Sequence, residues 1–192
     1  MPDLPNRRRR SVFVAGFALT LLFSITLNAQ QVAKPTPVDP ASFDFIGISA
    51  RTTNAAEMSG QGEIPKLWQR LFTENLLNSI PDRADDQIVA VYTDYANGAS
   101  GEYTYLLGSK VKPGTKPPAG MVAATVPAGK YLEFVTEKGP GAQVVGAAWM
   151  QIYGYFQDPA HSQRSYKTDY ETYAPPSDPN AVQGHIFIGI QP

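Results

Sequence analysis

One glutamate and a set of aromatic side chains are the residues best suited to chemistry in this chain. Glu171 lies in the segment from Arg164 to Tyr173, where residue types alternate with the period of a strand. A carboxylate among aromatic rings in a cleft of low dielectric constant would attract a cation, which would offset its own desolvation. On a solvated strand face the same residue would be an ordinary carboxylate, paired for instance with Lys167. The spacing alone leaves both interpretations open.

The aromatic residues form 11 % of the chain and include ten tyrosines, whereas charged residues form 17 %. Tyrosine and tryptophan faces attract cations, by roughly 0.5–2 kcal/mol per ring. Core packing explains the two tryptophans equally well, because both fall on apolar helical stripes, and cross-strand packing could explain the tyrosines. Besides Glu171, the candidate ligand contacts are Trp68, Tyr92, Tyr105, Tyr131, Trp149 and Tyr173.

Signals of catalysis or of a cofactor are weak. His161 and His185 have no partner at metal-ligand spacing, and the chain has no cysteine. The sequence contains no nucleophile elbow and no phosphate-binding glycine pattern. We therefore predict no metal, no cofactor and no assigned catalytic residue, and the residues alone do not decide whether the protein is an enzyme.

Residues 1–29 have the three parts of a secretory signal. Arg7 to Arg10 form a basic start, residues 11–27 carry no charge, and Ala29 before Gln30 is a candidate cleavage point. An uncleaved N-terminal membrane anchor is the alternative, because the apolar run of about 17 residues is at the lower limit for a span. We predict a cleaved signal and a periplasmic or secreted protein, with no stable membrane span unless the signal is retained.

Charge argues against nucleic acid as a partner. Without the first 29 residues the chain has 12 basic and 16 acidic residues, and the basic ones form no stripe. Binding to DNA or RNA would need such a concentration of positive charge. A small molecule is the partner that an aromatic, weakly charged domain favours.

The elements that would position these residues follow a Pro-rich linker, residues 30–42, which we expect to be extended and mobile. The remaining residues, 43–192, form one predicted domain. Apolar residues at helical spacing predict helices over 64–76 and 144–156. Alternating or continuous apolar segments predict strands over 45–53, 88–95, 102–111, 121–126, 130–136, 164–173 and 184–190, with turns at 97–101 and 127–129.

The order strand–helix–strand–strand therefore occurs twice. Trp68 and Trp149 occupy matching places in the two helices, and matching Thr-Asp-Tyr triplets begin at Thr93 and Thr168. One unit alone would leave a sheet face uncovered, whereas two units together would bury it. The sequence predicts an α+β fold of duplicated β-α-β-β units, with an antiparallel sheet, two helices on one side and a central cleft.

Six segments are familiar in their order and spacing. They read FIGI at 45–48, IPKLW at 64–68, VYTDY at 91–95, YTYLLG at 103–108, VPAGKY at 126–131 and DYETY at 169–173. Together they resemble the GyrI-like small-molecule-binding family. Its members include the effector-binding domains that follow the DNA-binding part of AraC-type and multidrug-responsive transcription activators. The resemblance covers about 43–192.

The resemblance implies an aromatic cleft that takes up cationic or amphipathic small molecules and contains a buried glutamate, which here is Glu171. The chain departs from the family pattern because it has no DNA-binding domain and carries an export signal. Some GyrI-like proteins are hydrolases, so the same glutamate acting as general base is an alternative function. A tetrapyrrole binder of related architecture, for which no axial ligand is evident, and an interaction module without a ligand also remain as hypotheses.

Overall fold

The computed structural model describes residues 34–175, 178 and 180–192 of the chain. The predicted signal, residues 1–29, lies outside the described residues. Within the described ones, no helix has both the length and the apolar character that a membrane crossing requires. The strands are β1 Thr36–Val38, β2 Phe43–Thr53, β3 Ile88–Thr93, β4 Glu102–Val111, β5 Val122–Val126, β6 Tyr131–Val135, β7 Arg164–Tyr173 and β8 Gly184–Ile190, and the helices are α1 Asn54–Met58, α2 Ile64–Thr73 and α3 Gly141–Tyr155.

The eight strands form one antiparallel sheet in the order β1-β6-β8-β7-β3-β4-β2-β5. The order β3-β4-β2 on one side is repeated as β7-β8-β6 on the other, so the two predicted units meet where β3 pairs with β7. At this junction Ala90 lies opposite Glu171 and Thr93 lies opposite Thr168. The prediction of a duplicated α+β fold is confirmed. β1, which lies within the stretch predicted as a linker, adds an edge strand beside β6.

Alternation along β3 separates two buried layers. Ile88, Ala90 and Tyr92 face the side that carries α2 and α3, and they pack there with Leu67 and Leu71. On the opposite face the buried cluster is formed by Phe45, Val89, Val91, Leu106, Val126, Tyr131 and Tyr170. Both faces of the central strands are therefore covered, which explains their nearly continuous apolar sequence.

The sheet must curl to satisfy its own connections. β5 and β6 flank the predicted turn at 127–129 but do not pair with each other, and six strand-to-strand steps separate them in the sheet. A flat sheet would hold them roughly 29 Å apart, whereas the chain from Val126 to Tyr131 reaches at most about 18 Å. Curling resolves the conflict, because Val126 and Tyr131 belong to the same buried cluster.

The first predicted helix is shorter than expected and is preceded by another. α2 begins with Pro65 in its first turn and ends at Thr73, rather than at Leu76, because Asn75 adopts a left-handed conformation with φ of 51°. A short 3₁₀ turn, Leu76–Ser79, follows. The unpredicted α1 begins where the Thr53 hydroxyl accepts a hydrogen bond from the Ala56 amide at 3.1 Å.

Gly108 allows β2 and β4 to approach closely, and its substitution tests this packing. A Cβ atom at Gly108 would lie 2.1 Å from the carbonyl oxygen of Ile46, which belongs to the backbone and cannot move away cheaply. We expect Gly108→Ala to lower the free energy of unfolding by about 2 kcal/mol or more, measured by urea denaturation. Gly129→Ala is the control, since its Cβ would meet only Tyr131 at 3.8 Å. Equal stability of the two variants would contradict this account.

Candidate functional site

A cavity of about 670 Å³ lies between α2 and α3, above the junction of the two units. Most of its surface is apolar, and its volume is typical of sites for small molecules. The floor comes from β3, β4 and β7, and the walls come from the two helices. The principal lining residues are Ile64, Trp68 and Phe72 of α2, Val145, Gly146 and Trp149 of α3, and Ile88, Tyr92, Tyr105, Glu171 and Tyr173 of the sheet.

Glu171 is at the floor of this cavity, and its residue surface is only 1 % exposed. One carboxylate oxygen, Oε1, accepts hydrogen bonds from the Tyr92 hydroxyl at 2.9 Å and from the Trp149 indole at 2.5 Å. The other, Oε2, accepts one from the Tyr173 hydroxyl at 2.6 Å. The alternative of a solvated carboxylate paired with Lys167 is therefore wrong, because Glu171 is buried while Lys167 is exposed.

Within the part of the chain that the structure describes, no cation balances the Glu171 carboxylate. No lysine, arginine or histidine of the described residues forms an ion pair with it. Burial raises the pKa of Glu171, the hydrogen bonds from Tyr173, Trp149 and Tyr92 lower it, and the nearby Asp169 carboxylate raises it further, so the net shift is upward. The charged form is stabilised by hydrogen bonds without being neutralised.

The tyrosines that contact Glu171 are neutral hydrogen-bond donors. Burial, followed by the charge of Glu171, raises the pKa of Tyr92 and of Tyr173 well above the ordinary value of 10. Both hydroxyls therefore keep their protons throughout the physiological range. Among the described residues of β3, β4 and β7 that line the cavity, Glu171 is the only acidic one, and Glu57 of α1 lines the same cavity outside this floor.

The aromatic walls repeat with the two units of the fold. In each unit a tyrosine follows the helix tryptophan by 24 residues, Tyr92 after Trp68 and Tyr173 after Trp149. Each tryptophan contacts the tyrosine of the other unit: Trp68 packs edge-on to Tyr173 at 5.4 Å, and Trp149 packs on Tyr92 at 5.0 Å between ring centres. Trp68 also donates its indole hydrogen to the Tyr105 hydroxyl at 2.9 Å. These contacts fix the ring orientations.

The structure brings six of the seven predicted site residues to this cavity and separates Tyr131 from it. Leu132 and Phe134 of β6 pack in the cluster that includes Ala148 and Ile152 of α3, so the alternation turns Tyr131 to the opposite face. There its hydroxyl donates to the Pro127 carbonyl at 3.0 Å. The prediction of Tyr131 as a wall of the cleft is therefore corrected.

Glu57 and Gly146 are the most informative of the lining residues that were not predicted from the sequence as ligand contacts. The Glu57 carboxylate caps the start of α2 by accepting hydrogen bonds from the Glu63 amide at 2.8 Å and the Ile64 amide at 3.3 Å, and it also accepts one from the Thr52 hydroxyl of β2 at 2.6 Å. Gly146 lies in the middle of α3, and a Cβ atom there would touch nothing within 4 Å, because it would point into open space. A glycine inside an apolar helix is unfavourable by roughly 0.5–1 kcal/mol relative to alanine, and that anomaly was the available signal.

The fold and the site together define a small-molecule-binding domain. Residues 38–190 match the Cass2 family, integron-associated effector-binding proteins. The chain belongs to this family. The predicted relationship to GyrI-like effector-binding domains is confirmed, and the match begins within β1, upstream of the predicted domain start at residue 43.

Two similar proteins agree with this assignment, and the structure of a third shares the fold. The protein YobU of Bacillus subtilis is 29 % identical over 149 residues, which cover 77 % of this chain and 91 % of YobU. The integron cassette protein VCH_CASS2 of Vibrio cholerae has a structure with a TM-score of 0.64 at 25 % identity, covering 83 % of this chain and 97 % of its own. The structure of SAV2435 bound to tetraphenylphosphonium has a TM-score of 0.67 at 15 % identity, covering 82 % and 94 % of the two chains.

The raised pKa of Glu171 predicts how stability depends on pH. The folded state holds this proton more tightly than the unfolded chain, whose glutamates titrate near 4.5. The free energy of unfolding of the wild type should therefore increase as the pH falls from above the raised pKa of Glu171 toward 4.5. Glu171→Gln should abolish this gain and should itself be more stable than the wild type at pH 8, by roughly 1–3 kcal/mol, because it removes an unpaired buried charge.

Urea denaturation at several pH values between 5 and 8 measures both effects. Glu102→Gln is the matched control, since Glu102 also lies in a strand but its side chain is 65 % exposed. A lower stability of Glu171→Gln than of the wild type at pH 8 would show that the ionised carboxylate stabilises the fold. A pH dependence that is the same in both proteins would show that Glu171 does not cause it. Either result would contradict this account.

Proposed function

We propose that this effector-binding domain holds a cationic or amphipathic small molecule in the cavity between α2 and α3, with Glu171 as the counter-ion. One observation carries the proposal: a fully buried carboxylate, hydrogen-bonded to three neutral groups and paired with no cation, lies on the floor of an apolar cavity. Burying such a charge is unfavourable unless a partner compensates it. A ligand cation would provide that compensation.

The aromatic lining supports the same ligand class. Trp68, Trp149 and the tyrosine rings offer faces that attract a cation, and their mutual packing holds them in place without the ligand. A cavity of about 670 Å³ is large enough for a bulky aromatic ion. Tetraphenylphosphonium, which is bound in the structure of the similarly folded SAV2435, is a suitable probe.

The hydrogen bonds on Glu171 indicate how the ligand presents its charge. An ionised carboxylate offers about four acceptor positions, and three donors already use positions on its two oxygens. A ligand cation therefore needs few N–H groups, or none, and can approach through its charge alone. Amphipathic ions with delocalised or shielded charge fit this arrangement best.

General-base catalysis is the less supported alternative. A base must take a proton from water, whereas Tyr92, Trp149 and Tyr173 each donate a hydrogen to Glu171 and thereby stabilise its charged form. The binding function accounts for those three donors directly, so we retain it as the proposal.

The proposal is tested by measuring, with calorimetry, the affinity of the purified protein for tetraphenylphosphonium. Glu171→Gln should weaken binding at least tenfold, about 1.4 kcal/mol, because it removes the counter-charge while keeping the side-chain shape. Gly146→Leu should also weaken binding, because the leucine side chain would project into the cavity and occupy space that the ligand needs.

Two controls make the result specific. Gly154→Leu places the same side chain on α3 at an exposed position outside the lining, and Tyr131→Phe alters the tyrosine on the opposite face. Both should bind like the wild type. Equal affinity of wild type and Glu171→Gln, or no binding by the wild type, would refute the proposal.

Export to the periplasm or exterior is a further part of the proposal, and it is supported by the basic start and uncharged run within residues 1–29. Expression of the full chain in a Gram-negative host, followed by fractionation and N-terminal sequencing, measures it. We expect a periplasmic product that begins near Gln30. A product that keeps the arginines and sediments with membranes would instead indicate an anchor.

A further inference from the structure

A second carboxylate, Asp169, is buried two residues before Glu171 on β7. It is 0 % exposed. Its Oδ2 accepts hydrogen bonds from Arg164 at 2.6 Å and from the Tyr95 hydroxyl at 2.7 Å, and its Oδ1 accepts one from the Gly189 amide at 2.9 Å. Unlike Glu171, this carboxylate has its own cation.

The Arg164 guanidinium occupies an aromatic cage. Its Cζ lies 4.7 Å from the ring centre of Tyr166, 5.3 Å from that of Trp149 and 5.5 Å from that of Tyr95. Its Nε is buried and has no hydrogen-bond partner among the described residues. Burial lowers the pKa of Arg164, but the charge of Asp169 and then Tyr95 raise it more, so the net shift is upward and Arg164 stays charged.

Trp149 connects this cage to the cavity. Arg164 lies over its ring, Tyr92 packs on it at 5.0 Å, and its indole nitrogen donates to Glu171. The Trp149 ring is therefore shared by two sites. It is one wall of the cage that holds Arg164, and it is one wall of the cavity in which Glu171 has no cation among the described residues. Arg164 is therefore connected to Glu171 in two ways: through its contact with Trp149, and through its ion pair with Asp169, whose charge acts on Glu171.

We propose that Arg164 is a positioning residue of the ligand site: as a built-in cation it neutralises Asp169 and holds Trp149 against Glu171, so that Glu171 is left as the uncompensated carboxylate of the cavity floor. The inference rests on the proposed function, which supplies the ligand. Without Arg164, two uncompensated carboxylates would lie on one strand face, and each would oppose ionisation of the other.

The groups that face Glu171 leave Asp169 as its main charged neighbour. The tyrosines around it are neutral, because burial raises the pKa of each. Helix α2 contributes the non-titratable Trp68 and Phe72 to the lining, and α1 contributes Glu57 at the rim. The titratable groups are Tyr92 of β3, Tyr103 and Tyr105 of β4, Asp169 and Tyr173 of β7, Tyr153 of α3 and Glu57 of α1.

The test is a carbon-13 NMR titration of the Glu171 carboxyl group in the ligand-free protein, in the wild type and in matched variants. Arg164→Met should move the titration midpoint of Glu171 upward, because it leaves Asp169 unpaired. Asp169→Asn should move it downward, because it leaves Arg164 unpaired. Arg164→Met combined with Asp169→Asn should cancel the effect of charge and leave only a small upward shift from the lost contact with Trp149, and Arg164→Lys, which keeps the charge, should change the midpoint little.

These opposite shifts keep the inference testable if Arg164→Met fails to fold, since Asp169→Asn and the double variant then decide it. A Glu171 midpoint that is unchanged in Asp169→Asn, or a double variant whose midpoint shifts as far as that of Arg164→Met, would overturn the inference and leave only a structural ion pair. The titration needs no ligand, so it is independent of the proposed function.

A second readout connects the inference to binding. The pH below which tetraphenylphosphonium no longer binds should rise in Arg164→Met, fall in Asp169→Asn and return close to the wild-type value in the double variant. If the wild type binds no tetraphenylphosphonium while the titration midpoints move as expected, the proposed function fails and the electrostatic coupling stands. If the probe binds with the same pH profile in all variants, the coupling fails and the proposed function stands.

Discussion

The hydrogen bonds that Tyr92, Trp149 and Tyr173 donate to Glu171 are the interaction on which the site depends. They join β3, β7 and α3 around one carboxylate at the junction of the two units. Burial raises the pKa of Glu171, and the neutral donors oppose this shift by stabilising the charged form without cancelling its charge. In its ionised form, Glu171 would give the base of an apolar cavity a negative potential, which is the property that the proposed binding of a cation requires.

The duplicated fold makes this arrangement possible. Because β3 and β7 pair at the centre of the sheet, each helix tryptophan reaches across to the tyrosine of the other unit. Ala90, the cross-strand partner of Glu171, is a small and fully buried residue. Gly146 keeps the wall formed by α3 open. The two units differ at one position of the floor: the second has Glu171 22 residues after its helix tryptophan, whereas the first has Ala90 at the same spacing.

Much of this organisation follows from the sequence, and the misses have physical reasons. Helical spacing located Trp68 and Trp149, and the Gly-rich turn identified the β3–β4 hairpin, because these signals are local. Tyr131 was misplaced because an alternating pattern separates two faces without saying which one the helices cover. Glu57 was missed because α1 has only five residues and no apolar stripe. The burial of Glu171 came from the family resemblance, since spacing alone allowed a solvated carboxylate.

The most direct measurement is a comparison of tetraphenylphosphonium with tetraphenylborate, two ions of the same shape and opposite charge, by calorimetry at pH 8. If the cavity presents the uncompensated charge of Glu171, the cation binds and the anion does not. Equal binding of the two ions, or a preference for the anion, would show that the cavity recognises shape and apolar surface alone and would contradict the account.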